Sequence, residues 1–211
     1  ASSLGKAAAT AEAIAPQRLF CRPAMRALKR AVHGSLGDFR TPVTLSAEQE
    51  RGLSWLVANV HRHNGSSLYT NVQVSAVLTT DASPFAFGAI LQLPSGKVLH
   101  TSGFFSKVEA KLPQNEREAI AVWLSIQTFT KILSELASLL QASHVHPLQI
   151  LCKGDNVSVV AYLRRLGGRK KRLSKIIEAT LKWGFDRCWR LLAEWIPGTE
   201  MPADAWSREL A

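Results

Sequence analysis

Between residues 75 and 105 the apolar positions come in three short runs separated by turn-forming residues. Val77-Leu78-Thr79-Thr80 climbs to a single carboxylate, Asp81, and stops at Ala82-Ser83; a second run leads away through Gly88-Ala89-Ile90-Leu91. The pattern predicts strands over 75–80, 86–93 and 97–105, the last two joined as a hairpin by Pro94-Ser95-Gly96. A polar stretch to Gln114 precedes the longest helical pattern, residues 115–141. There Ile120, Val122, Trp123, Ile126, Phe129, Ile132 and Leu133 form a broad buried stripe. Residues 146–152 predict a fourth strand ending at Gly154-Asp155-Asn156. Helices over 157–166 and 173–185 follow, separated by Gly167-Gly168. A fifth strand over 189–196 closes at Pro197-Gly198. Three strands, a helix, a strand, helices and a strand describe an α/β layered domain with an antiparallel opening and parallel additions.

The first third of the chain reads differently. Residues 23–32 predict a basic amphipathic helix with Pro23 in its first turn. Ser46 is placed to cap a second helix, with Glu48 and Glu50 at its positive end and Leu53, Leu56, Val57 and Val60 at helical spacing through about His63. Asn64-Gly65-Ser66-Ser67 then breaks it, which places a boundary near residue 70. Residues 1–70 are expected to be a helical extension and residues 71–211 the α/β domain. Residues 1–40 are rich in Ala, Arg and Ser, with Glu12 and Asp38 their only acids. A mitochondrial presequence has such a composition, but a loosely helical lead-in or linker is the reading preferred. An Ala start rather than Met is expected of a fragment or a processed product.

Charge changes the picture more than size does. With 26 Lys+Arg against 16 Asp+Glu the net charge is +10, which favours a polyanionic partner. A basic ribosomal or membrane-surface protein would look similar. The hydrophobic fraction of 46% with six Trp argues for a packed globule. Cys21, Cys152 and Cys188 are far apart and form no CxxC, so neither a disulfide framework nor a zinc site is suggested. A reducing, intracellular setting, nucleus or cytoplasm, is the expectation. No apolar run reaches the length of a membrane span, and oligomeric state is not legible.

Four acids stand at element ends: Asp81 after the first strand, Glu118 in the first turns of the long helix, Asp155 after the fourth strand and Asp204 after the last. Each has a structural alternative. Asp81 suits an Asx-turn, Glu118 complements a helix dipole, and Asp155 and Asp204 suit helix caps. Together, a carboxylate set without His or Cys suits a hard cation, Mg²⁺ or Mn²⁺. Two such ions about 3.5–4 Å apart can activate a water and stabilise a leaving oxygen in phosphodiester cleavage.

These residues resemble a known family. Thr80-Asp81-Ala82-Ser83 with Gly88-Ala89 is similar to the opening of the ribonuclease H domain of retroelement reverse transcriptases. Phe105-Ser106-Lys107 with Asn115-Glu116-Arg117-Glu118-Ala119-Ile120-Ala121-Val122 resembles the segment bearing that family's catalytic Glu. Gly154-Asp155-Asn156 resembles its Asp-Asn pair, and Pro197-Gly198 through Ala203-Asp204-Ala205-Trp206-Ser207-Arg208 resembles its closing pattern. Tyr162-Leu163-Arg164-Arg165-Leu166-Gly167-Gly168 looks most like DIRS-type retrotransposons, with Gypsy-type second. Leu45-Ser46 followed by Leu53-Ser54-Trp55-Leu56 resembles the connection between polymerase and ribonuclease H.

The resemblance implies a ribonuclease H-like fold: a five-stranded mixed sheet, its first three strands antiparallel, flanked by helices. It also implies a hydrolase, an endonuclease cutting the RNA strand of RNA–DNA hybrids during retrotransposon reverse transcription. Asp81, Glu118, Asp155 and Asp204 would be the catalytic, metal-binding set for two Mg²⁺, with Mn²⁺ as a substitute. An upstream reverse transcriptase domain of the same polyprotein is the implied partner, while this chain, lacking Tyr-x-Asp-Asp, is expected to hold no polymerase site. Where many relatives carry a His just before the closing Pro-Gly, this chain reads Glu194-Trp195-Ile196 and has no His after His146; Glu200 is the proposed substitute. Gly154 where Thr or Ser is common is expected to be harmless.

Arg164, Arg165, Arg169, Lys170, Lys171 and Arg172 surround Gly167-Gly168. They read as a phosphate clamp in preference to a solvated turn or a nuclear localisation patch, and bacterial ribonucleases H have a basic protrusion this resembles. Asn156, Ser83 and Asn115 are candidates for touching a ribose 2′-OH, each equally suited to a cap or turn. Trp123, Trp183, Trp189 and Trp195 read as packing. The alternative functions are a weak or inactive nucleic-acid-binding module derived from a retroelement, or another nuclease or transposase of this fold.

Overall fold

The computed structural model describes residues 14, 17–38, 40, 42–63 and 73–208. The chain divides into two compact units, residues 1–70 and 71–211.

In the first unit, α1 (Gln17–Gly34) and α2 (Ala47–Asn59) pack together, and a 3₁₀ turn, Val60–His63, follows α2. The rings of Phe20 and Trp55 stack at 3.7 Å between the two helices. Gln49 Oε1 accepts the backbone N–H of Ser46 at 2.8 Å and so closes the start of α2. One expectation changes here. Pro23 lies well inside α1 rather than in its first turn, because the helix begins at Gln17. The helical spacing of Leu53, Leu56, Val57 and Val60 is found as α2 and its 3₁₀ turn, with Leu53 and Leu56 half-buried and Val57 and Val60 exposed. The expected break at Asn64-Gly65-Ser66-Ser67 and the Ala-rich start lie outside the described residues.

The second unit is built on a mixed sheet. Its strands are β1 (Ala76–Ala82), β2 (Ala86–Gln92), β3 (Val98–Phe104), β4 (Leu148–Gly154) and β5 (Trp189–Trp195). The spatial order is β3-β2-β1-β4-β5. β1–β2 and β2–β3 pair antiparallel, β1–β4 and β4–β5 parallel. Short turns make the first three strands a meander; the later strands return only after helices, as parallel pairing requires. Central β1 is buried almost throughout, whereas the edge strand β3 is largely wet. Leu78, Leu91, Ile150, Leu133 and Ile177 are fully enclosed, each contributing about 1.5–3 kcal/mol.

The helices are α3 (Gln114–Thr128), α4 (Thr130–Leu139), α5 (Val157–Arg164), α6 (Lys171–Phe185) and α7 (Asp204–Arg208). The single helix expected over 115–141 is therefore two, divided at Phe129. Around the division, hydroxyls bond back to carbonyls four residues earlier: Ser125 to Ala121, Thr128 to Leu124 and Thr130 to Ile126, at 2.6, 2.9 and 2.9 Å. Such back-bonding competes with the ladder and bends the helix. Strand alternation sorts the layers. Ala82 and Phe87 cluster with Ile120 and Ala121 of α3, while Gly88, the partner of Asp81, faces α7.

Candidate metal centre

Three of the four acids converge. Parallel pairing of β1 with β4 aligns Thr79 with Lys153, so Asp81 and Asp155 stand side by side, two residues further along. Glu118 reaches them from the second turn of α3, a helix that packs on β1. One carboxylate oxygen from each of Asp81, Glu118 and Asp155 lies within 4.8 Å of the others; among the described residues this is the one such group of three or more potential metal ligands. Asp155 does not cap α5. Asn156 does, its Oδ1 accepting from the N–H groups of Ser158 and Val159 at 3.1 and 3.2 Å, which leaves the neighbouring acid to face the cluster.

The electrostatics fit a cation. Glu118 is 4% exposed; burial first, then the charges of Asp81 and Asp155, push its carboxyl up to about 8. Asp81 is raised by burial in the same way, with Asp204 and Asp155 adding to the rise and a bond from Ser207 opposing it. Crowded, dehydrated acids resist ionising together, and a divalent ion would relieve that. An all-oxygen donor set without sulfur or imidazole suits Mg²⁺ or Mn²⁺.

Asp204 is not in this group. It begins α7, and its Oδ1 accepts from Arg208 Nε at 2.7 Å, although its charge is close enough to raise Asp81.

Two supporting side chains escaped the sequence reading. Ser207 Oγ donates to Asp81 Oδ2 and also lies 3.0 Å from the carbonyl oxygen of Asp204. Gln114 Nε2 donates to Glu118 Oε1 at 2.6 Å and to the carbonyl oxygen of Ala82 at 2.8 Å, tying helix, strand and carboxylate together. The Gln114–Glu118 spacing of four was a readable signal; nothing local distinguishes Ser207. α7 reaches the sheet because β2 has Gly88. A Cβ there would collide with Ser207 N and stand 2.7 Å from both Ala203 O and Trp206 C. Beside this notch, His100 of β3 and Trp206 stack at 3.9 Å.

The remaining candidates are placed as follows. Ser83 is buried and committed to its own turn, accepting from Ala86 N at 2.9 Å. Asn156 is the cap of α5, and Asn115 is half-buried in the first turn of α3. Arg164 donates to Ala193 O at 2.9 Å, and Arg172 pairs with Glu116 at 3.4 Å. Arg165, Arg169, Lys170 and Lys171 are exposed. The turn carrying them is fixed: Gly168 lies against the Tyr162 ring, where a Cβ would collide. The Tyr162 hydroxyl accepts Lys170 N at 2.8 Å. Trp189 is core and Trp123 meets Trp183 edge-on at 5.5 Å, but Trp195 is 47% exposed and donates its indole N–H to Asp155 O at 2.8 Å. Reading Trp195 as packing is thus corrected: it ends β5 at the rim of the acidic cluster. Glu200 is exposed in the 3₁₀ turn Gly198–Glu200, and Gly154 has open space for a Cβ apart from Thr80 O at 3.9 Å.

Residues 71–167, which hold Asp81, Glu118 and Asp155, match the family described as the RNase H-like domain found in reverse transcriptase. Over these residues the chain is similar to the RNase H-like domain of reverse transcriptases. Two of three similar solved structures, those with TM-scores of 0.50 and 0.51, agree on the RNase H-like fold. LC11-RNase H1 in complex with an RNA/DNA hybrid is 14% identical with a TM-score of 0.51, over 64% of this chain and 94% of that one. LC11-RNase H1 isolated from compost by a metagenomic approach gives 14% and 0.50 over 66% and 100%. The N-terminal RNase H domain of Rv2228c from Mycobacterium tuberculosis gives 16% and 0.45 over 65% and 93%. No curated protein sequence matches the chain significantly.

Proposed function

We propose that the chain is a divalent-metal-dependent endonuclease that hydrolyses the RNA strand of RNA–DNA hybrids. The observation that carries this is the convergence of Asp81, Glu118 and Asp155 within 4.8 Å in an RNase H-like domain. Those three residues would hold the metal, with Asp204 as a fourth ligand once its bond to Arg208 is released. Bound Mg²⁺ or Mn²⁺ would supply activation of a water and stabilisation of the leaving oxygen. The chain's own contribution is to fix the carboxylates: Ser207 holds one oxygen of Asp81, Gln114 one of Glu118, and Trp195 the main chain of Asp155. The exposed Arg165, Arg169, Lys170 and Lys171 would take the phosphate backbone without reading sequence. The match of residues 71–167 to the RNase H-like domain found in reverse transcriptase supports a place in retrotransposon reverse transcription, beside an upstream polymerase domain.

The test is a labelled RNA–DNA hybrid incubated with the 211-residue protein in Mg²⁺ or Mn²⁺. RNA fragments are expected with the parent and none with Asp81→Asn or Asp155→Asn, whose melting should show an intact fold. Intact RNA with the parent in both metals overturns the proposal.

One observation favours a second reading, a weakly active binding module. The Asp204 carboxylate is paired with Arg208, outside the converging group. If so, Arg208→Ala should raise cleavage; if Asp204 is a working ligand already, Arg208→Ala should leave it unchanged and Asp204→Asn should abolish it.

A further inference from the structure

The helix α1 carries a charge arrangement that nothing in the acidic centre uses. Its sequence contains Arg18, Arg22, Arg26, Lys29, Arg30 and His33 and no acid. At about 100° of rotation per residue, these six fall within an arc of about 120°, and successive members at a spacing of four rise about 6 Å along the axis. The buried Gln17, Cys21, Ala24 and Ala27 occupy the opposite side, with Leu19 the buried exception on the cationic side. Arg18, Arg26, Lys29, Arg30 and His33 are exposed.

Arg18 sits in the first turn, where the positive end of the backbone dipole opposes a cation and no acid of that turn offsets it. Lys29 and Arg30 stand exposed on the same side about three turns further along. A row of phosphates laid along the helix would relieve the dipole penalty and meet all three cations. A membrane surface fits less well: a helix that lies in a bilayer needs a free apolar face, and here the face opposite the cations is already buried.

We propose that the cationic side of α1 is a second nucleic-acid-binding surface, tracking the sugar–phosphate backbone of a strand without sequence preference. Its ligand is a polynucleotide, and its contribution is affinity and salt dependence rather than chemistry. Each phosphate neutralised there releases counterions, so loss of these cations flattens the dependence of affinity on salt.

The experiment compares the 211-residue protein with the variant Arg18→Ala/Lys29→Ala/Arg30→Ala. Anisotropy of a fluorescein-labelled RNA–DNA hybrid is followed in EDTA over a series of KCl concentrations. The expected result is roughly a 10-fold or greater loss of affinity at low salt, and a log–log salt slope shallower by about 2–3. If the triple variant loses helicity by circular dichroism, Arg18→Ala and Arg30→Ala singly should each remove about one unit of slope. An unchanged affinity and slope overturns the proposal. So does a variant that keeps hybrid binding but no longer binds phosphatidylserine vesicles bound by the parent, which would assign the surface to membranes. Because binding is read without metal, a chain that binds through α1 but cuts nothing would fail the nuclease proposal and leave this one standing.

Discussion

Ser207 and Asp81 are 126 residues apart in the chain, and the hydroxyl of one donates to the carboxylate of the other. A hydroxyl has one hydrogen, and Ser207 has two acceptors within reach, Asp81 Oδ2 and the carbonyl oxygen of Asp204. Ser207 is thus a positioning residue for a metal ligand, and it can pass its hydrogen to the carbonyl when a cation takes Asp81. Ser207→Ala is expected to weaken Mn²⁺ binding roughly 10-fold by calorimetry, as loss of a ligand's supporting hydrogen bond does. Ser207→Thr should recover most of it. Equal affinities in all three proteins would reduce Ser207 to a helix residue.

Gly88→Ala should dislodge α7. The new Cβ meets backbone atoms of Ala203, Trp206 and Ser207, none of which can swing aside like the end of a long side chain. A cost of about 1–3 kcal/mol in urea unfolding is expected, with an altered Trp206 environment in fluorescence as its stack on His100 opens. Mn²⁺ affinity should fall in step, since Ser207 travels with the helix. A variant with parental stability and affinity would show that the strand bends to accommodate the methyl group.

The pH dependence of stability follows from Glu118. Its carboxyl is raised from 4.5 to about 8, mainly by burial. Between those values the folded protein keeps a proton that the unfolded chain has released, so metal-free stability is fully present below pH 4.5 and declines as pH rises towards 8. Asp81 is shifted in the same direction. Urea midpoints measured in EDTA across this range should fall for the parent and fall less for Glu118→Gln. Metal binding near neutral pH should also release protons, seen as a buffer-dependent heat in calorimetry. A flat parental profile would mean that Glu118 is ionised in the folded chain.

The turn after α5 tests the phosphate clamp. Arg169→Ala/Lys170→Ala/Lys171→Ala is expected to raise KM for the hybrid and to reduce the salt slope by about 2–3, leaving kcat at saturating substrate unchanged. A fall in kcat with KM unchanged would place these residues in the chemical step instead.

Much of this was legible before any coordinates. The turn residues at 83–85 and 94–96 punctuate β1–β3 well enough to fix strand limits within two residues, and the three converging acids lie near element ends: Asp81 one residue before the end of β1, Asp155 just past β4 and Glu118 in the second turn of α3. What was not legible depends on tertiary placement. Phe129 keeps the apolar rhythm of one long helix, and only the hydroxyls around it reveal the bend. Val57 of α2 shares the helical spacing of the half-buried Leu53 and Leu56 yet is exposed, because periodicity records the chain's own pattern and not what packs against it. Trp195 shows the reverse, an aromatic residue with strand spacing that ends up at a rim. Ser207 and Gly88 matter only through each other.

The position of β4 inside the sheet, between β1 and β5, has a consequence for biosynthesis. Asp81 is made before Asp155, in a meander that can close on itself, yet its partner Asp155 is delivered by a strand that lies between β1 and β5. Pairings of that range are slow to form and come late. A chain that stops before residue 155 therefore holds at most two of the three converging acids, and one that stops before residue 207 lacks the hydroxyl that steadies Asp81. The acidic centre closes only after β4 has been made and has paired with β1, however early its first acid is in place.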